Sequence, residues 1–309
     1  MFDRIYAIGL NTFREAVRDR VLYGVLGLAS AILIFTLALG ELSLDQQRRV
    51  VMDVGLASIS LFSVIIATFL GSSLLYKEIE KKTLYVILPK PIRRSEFLLG
   101  KYLGITLTGA TFVALMGSIL LWVMSVQADA SPVWLVVCPS VLALGLGLGS
   151  WRAHDRTAVL LPFAVCALVC TAALASTTDA PVWPVLAAYL LNLGEVLLLT
   201  AVALLFSSFS TPFLTGAFTA GVWVLGRSAG SMAQMNSSAL SGGMKSVLHF
   251  LAEITPNFDL FVPPHRTLTV HTAAMGPAGY LVHAMGYSVL YSALLLTFAT
   301  LIFRRRDFL

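Results

Sequence analysis

Residues 50–76 read VVMDVGLASISLFSVIIATFLGSSLLY. Asp53, near one end, is the single charged residue in a stretch longer than the roughly 20 residues that carry a helix across a bilayer core. Outside it the composition repeats the message. Apolar residues make up 58% of the 309 and charged residues 12%, and mean hydropathy is +0.85. Soluble domains sit at about 45–50% and 25%. So little polar side chain cannot cover the surface of a water-soluble fold, which leaves a polytopic, all-α membrane protein.

The remaining apolar stretches are read the same way. Spans are expected at about Val21–Gly40, Val50–Tyr76, Phe97–Val126, Val133–Ser150, Thr157–Ser176, Trp183–Phe206, Pro212–Leu225 and Tyr280–Phe303, eight in all. The fourth, crowded by Gly145, Gly147 and Gly149, and the short seventh are the weakest by length and composition. Ahead of the first span, Phe2, Ile5, Tyr6, Leu10, Phe13 and Val17 recur at helical spacing, with Arg14, Glu15, Arg18 and Asp19 on the other side. That pattern predicts an amphipathic helix in the membrane interface over residues 1–20. Its charges and broken apolar run are unlike a cleavable signal peptide.

Charge sets the expected orientation. With both termini inside, the inner segments hold sixteen of the 21 Lys and Arg residues. Arg48, Arg49, Arg227, Lys245 and Arg266 remain outside, so the positive-inside rule places the termini in the cytoplasm. The net charge of +5 then follows from topology and calls for no nucleic-acid partner.

Two connecting stretches stand out. Residues 77–96 read KEIEKKTLYVILPKPIRRSE, with a short helix expected over Glu78–Leu88 and ended by Pro89 and Pro91. Ser95 is then placed to cap the next span. Taken blandly, the segment is a solvated positive loop. Its apolar centre, Leu84 to Leu88, instead favours docking on another subunit. The second stretch, residues 226–279, is too long for a turn; Val247, Leu248, Leu251 and Ile254 predict a short helix on or dipping into the outer leaflet.

Residues capable of chemistry are sparse. The one Gly-Lys pair, Gly100-Lys101, lacks the preceding glycine and following hydroxyl of a phosphate-binding loop, so no nucleotide site is expected. Cys166 and Cys170 share a helix face but no third metal ligand joins them at ligand spacing, and the five histidines are scattered. No catalytic, cofactor-binding or metal-binding residue is assigned. Glu195, in the sixth span, is costly in lipid. It reads either as a proton or substrate contact or as a packing carboxylate bonded to Asn192 or a nearby hydroxyl.

Three segments carry a family likeness: NTFREAVRDR (11–20), LLYKEIEKKTLYVILPKPIRRSEFLLGKYLG (74–104) and LLLTAVALLFSSFSTPFLTGAFTAGVWVLGR (197–227), with ITPNFDLF (254–261) before the last span. Together they resemble the permease subunit of type-2 ABC exporters. The resemblance implies one membrane domain that dimerises, binds two cytoplasmic ATPase subunits carrying ATP and Mg, and sits in a bacterial-type inner membrane. It makes residues 77–96 a coupling loop, with Glu78, Glu80, Lys81, Lys82, Thr83 and Leu84 in the ATPase groove and Pro89, Pro91, Arg93 and Arg94 at the corner. Arg14, Glu15, Arg18 and Asp19 would lie beside them, and residues 226–279 would hold outer re-entrant helices. The usual plan has six spans; residues 133–176 add a hairpin that reads equally as a packing element, an accessory-protein dock or the wall of a lipid path. The expected cargo is amphipathic or lipid-linked. The rivals are mechanical transmission to an outer assembly, and secondary transport through Glu195.

Overall fold

The computed structural model describes residues 2–43, 46–80, 93–153, 156–230, 255–262 and 272–305. These are helical, with no strand among them. That is the outcome bilayers enforce, because only a helix satisfies its own backbone polar groups segment by segment. In chain order the helices are α1 (Phe2–Val17), α2 (Arg20–Leu42), α3 (Gln47–Glu80), α4 (Arg94–Gln127), α5 (Pro132–Arg152), α6 (Leu160–Ser176), α7 (Val182–Ser207), α8 (Pro212–Arg227) and α9 (Thr272–Arg305). Short 3₁₀ turns cover Arg156–Val159 and Asp259–Phe261.

Among the described residues, α2, α3, α4, α5, α7 and α9 are long and apolar enough to cross a membrane. The expected eight spans are reached only by adding α6 and α8, of 17 and 16 residues. The 3₁₀ turn Arg156–Val159 leads into α6 and brings the pair to about 33 Å, the thickness of a hydrocarbon core. The glycine-rich fourth span forms a complete helix, α5.

Helix α4 is the axis of the bundle, touching α1, α2, α3, α6, α7 and α9, while α7 packs on α3, α4, α8 and α9. Some serine and threonine hydroxyls inside these helices donate to carbonyls three or four residues back, as in Thr108 to Gly104 and Ser125 to Leu121, which satisfies those hydroxyls within the core. Tyr189 of α7 donates to the Gly117 carbonyl of α4 at 2.8 Å.

The α5–α6 hairpin stands at the side. No residue of α5 is buried, and its main neighbour is α6. One bond between it and the axis comes from a sequence defect. Pro139 has no N–H, so the Leu135 carbonyl loses its helical donor; Trp122 of α4 supplies one, Nε1 to O at 3.1 Å.

Three expectations change. Ser95 does not cap α4, which begins one residue earlier; Glu96 reaches back to the Arg93 N–H at 3.3 Å. No break separates span two from the start of the coupling segment, since α3 runs unbroken through Glu78 to Glu80. The rest of the helix expected to Leu88 lies outside the described residues, as does the one expected over 247–254. Finally, α1 is more than an interfacial helix. Phe2 and Tyr6 of its apolar stripe are exposed, whereas Gly9, Thr12, Phe13, Ala16 and Val17 are buried against the bundle. Small residues permit this: a Cβ on Gly104 of α4 would stand 2.5 Å from the Gly9 carbonyl oxygen.

Candidate functional site

Two groups of polar side chains emerge from this packing. The first surrounds the N-terminal end of α4. Arg4 of α1 faces Glu96 at 3.9 Å, and Glu15 of α1 faces Lys101 at 3.8 Å. Lys101 is 1% exposed, with its ammonium 5.8 Å from the centre of the Phe97 ring. Phe97 in turn stacks on Phe303 of α9, whose carbonyl accepts from Arg94 at 3.0 Å. Helices α1, α4 and α9 are thereby tied at the start of α4.

The expected docking residues divide on this frame. Glu15 and Arg18 are exposed, while Arg14 is half-buried. Asp19 caps α2, accepting from the Val21 N–H at 3.0 Å, and Arg94 turns to α9. Arg93 precedes α4 as its cap residue. Glu78 and Glu80 lie on the last turn of α3. Lys81, Lys82, Thr83, Leu84, Pro89 and Pro91 fall outside the described residues.

The second group is inside the bundle. Glu195 of α7 is wholly buried, and its carboxylate accepts three hydrogen bonds from two neighbouring helices. Oε2 takes the Ser60 hydroxyl of α3 at 2.8 Å; Oε1 takes Trp223 Nε1 at 2.8 Å and the Arg227 guanidinium at 3.1 Å, both from α8. The neighbouring hydroxyl was expected; Asn192 is not the partner shown. The larger correction concerns Arg227, counted from the sequence as an outer-loop residue. It ends α8 and is the carboxylate's counter-ion, lying also over the Trp223 ring. Its legible signal is the four-residue step from Trp223, which puts both on one helix face.

Segment 255–262 closes over this layer. The Phe258 N–H bonds the Gly226 carbonyl, and Tyr287 and Tyr280 of α9 bond the Asn257 N–H and the Leu260 carbonyl. Phe258 and Phe261 are buried, the latter against Gly194, next in chain to Glu195. The site is thus a charge-neutral tie among α3, α7 and α8 under an aromatic lid.

The sequence model of the ABC-2 type transporter family matches residues 3–168, more than half of the chain. The chain belongs to this family. No curated protein matches it. As an ABC-2 type transporter it is a multi-pass membrane subunit of an ABC transporter, the membrane component and not the nucleotide-binding one, and the family works with an ABC ATPase subunit. The matched region of this ABC-2 subunit holds α1 to α5 and enters α6, so it includes the whole α1–α4 frame.

Proposed function

We propose that this subunit couples ATP hydrolysis, by a separate ATPase carrying ATP and Mg, to export of an amphipathic or lipid-linked substrate. It does so as one membrane domain in a bacterial-type inner membrane, paired with a second copy of itself and bound by two ATPase chains. Both termini lie in the cytoplasm, with residues 77–96 as the coupling loop and residues 226–279 on the outer side.

The observation that supports coupling is the frame of Arg4–Glu96, Glu15–Lys101 and Arg94–Phe303 around the re-entry of the loop. ATPase closure can move helices only through an element that does not yield. The 34-residue helices α3 and α4 at the two ends of that loop, with α1 and α9 fastened to the second, are such elements. The saturated partners of Glu195 argue against secondary transport, because a carboxylate with three donors, one of them its counter-ion, is poorly placed to exchange protons or solute.

The test reverses charges in the proposed docking loop by Glu78→Arg with Lys81→Glu. Stimulation of the ATPase by the reconstituted subunit is expected to fall to its unstimulated level, while the subunit still folds and inserts. Full stimulation by the double variant would remove the loop from the interface.

A further inference from the structure

The hairpin α5–α6 encloses empty space against the axis of the bundle, and that space has two chemical ends. At the end of α4 remote from α1, a cavity of about 790 Å³ opens between the α4–α5 and α6–α7 turns. Asp129, Ser131, Thr177, Thr178 and Asp179 stand at its mouth, and Asp129 and Asp179 are exposed. A second cavity of about 440 Å³ continues toward the middle of the bundle, with Leu142 in the wall of both. There the lining is almost wholly apolar, from Leu115 and Ile119 of α4 to Leu146 of α5 and Phe163 of α6. Arg48, at the start of α3, donates to the main-chain carbonyl of Asp179 at 2.8 Å, which holds a guanidinium against a residue of the mouth.

A slot with a charged rim and an apolar depth, set at the side of a membrane protein, selects an amphipath. An acyl chain fits the inner cavity, and lipid is the solvent that the exposed face of α5 already meets. The rim then chooses the headgroup. The guanidinium held on the Asp179 main chain offers a site for a phosphate, and the carboxylates of Asp129 and Asp179 at the mouth offer acceptors for an ammonium with three donors. A headgroup with a phosphate but no cation would leave both carboxylates facing like charge.

We infer that the slot between the α5–α6 hairpin and α4 holds one phospholipid with a phosphoethanolamine headgroup, its phosphate at Arg48 and its ammonium at Asp129 and Asp179. This lipid is a resident ligand of the hairpin and fills the space between it and α4. Trp122, in the wall of the inner cavity and bonded to Leu135, fixes the hairpin at the distance the lipid occupies.

The experiment places the full-length chain in nanodiscs with acyl spin-labelled phosphatidylethanolamine or phosphatidylglycerol and reads the immobilised fraction by electron paramagnetic resonance. Wild type is expected to immobilise the ethanolamine lipid about twofold more, the ratio that one partly exposed ion pair supports. Asp129→Asn with Asp179→Asn, at exposed positions, should bring the ratio to about one by removing that pair. Leu142→Trp, which blocks the junction of the two cavities, should lower the immobilised fraction for both lipids. Equal fractions in wild type, or an ethanolamine preference that survives the aspartate pair, overturns the assignment. Should Leu142→Trp fail to fold, the headgroup comparison and the aspartate variant still decide it.

Discussion

Glu195 carries the sharpest energetic statement at the scale of a residue. A hydrogen bond to a charged group is worth about 1.5–3 kcal/mol, and bonds between membrane helices fall at the low end. Leaving a buried charge without its partner costs about 3–5 kcal/mol. The two effects predict different variants. Trp223→Phe removes one donor to the carboxylate and is expected to cost about 1.5 kcal/mol. Glu195→Ala strands Arg227 and is expected to cost about 3 kcal/mol, the low end because Arg227 keeps 27% of its side chain exposed. Reversible unfolding of the chain in mixed micelles measures both. Replacing the pair together, Glu195→Leu with Arg227→Leu, should recover most of the loss; equal costs for Trp223→Phe and Glu195→Ala would mean that the ion pair is not what holds the layer. Only the charge of Glu195 is readable as unusual in the sequence. Its partners sit 135 residues upstream and 28 and 32 downstream, where linear spacing carries no information about contact.

Between elements, the contact of α1 with α4 has the clearest consequence. Amphipathic periodicity predicts α1 and its apolar stripe, and the helix forms over nearly the predicted residues. Periodicity does not reveal that half of the stripe faces α4 instead of lipid, because a bilayer and an apolar helix surface make the same demand on a side chain. Gly9, Gly100 and Gly104 decide between them by letting the two backbones meet. Gly104→Leu is therefore expected to push α1 off α4. Hydrogen exchange should accelerate across α1 with α7 unchanged, and ATPase stimulation should drop. Unchanged protection of α1 amides would show that the close approach is not what seats the helix.

For the whole molecule, the family and the fold converge on a subunit that does not work alone. Its expected companions are testable directly. Purification of the tagged chain in mild detergent should bring down a stoichiometric soluble ATPase and, by mass, two copies of each chain. Recovery without any ATPase, under conditions that preserve other membrane complexes, would return weight to secondary transport. An outer protein co-purifying with the ATPase would favour mechanical transmission. The hairpin α5–α6 bears on this too. With no buried residue in α5 and a lipid-sized slot behind it, its surface is read as facing the bilayer.

Composition and the lengths of apolar runs were enough to determine a helical membrane protein and the approximate limits of its helices, since the bilayer acts on each span separately and leaves a one-dimensional trace. The order of charged, apolar and proline residues in 77–96 likewise carries the proposal that this segment docks the ATPase. Tertiary structure alone decided that Asp19 is a cap, that Arg94 is tied to α9, that Arg227 answers Glu195, and that Trp122 answers the carbonyl freed by Pro139. Each of these is a polar group finding its partner in a medium without water. Which partner it finds depends on how helices distant in sequence pack, and packing is a property of the folded bundle rather than of any segment.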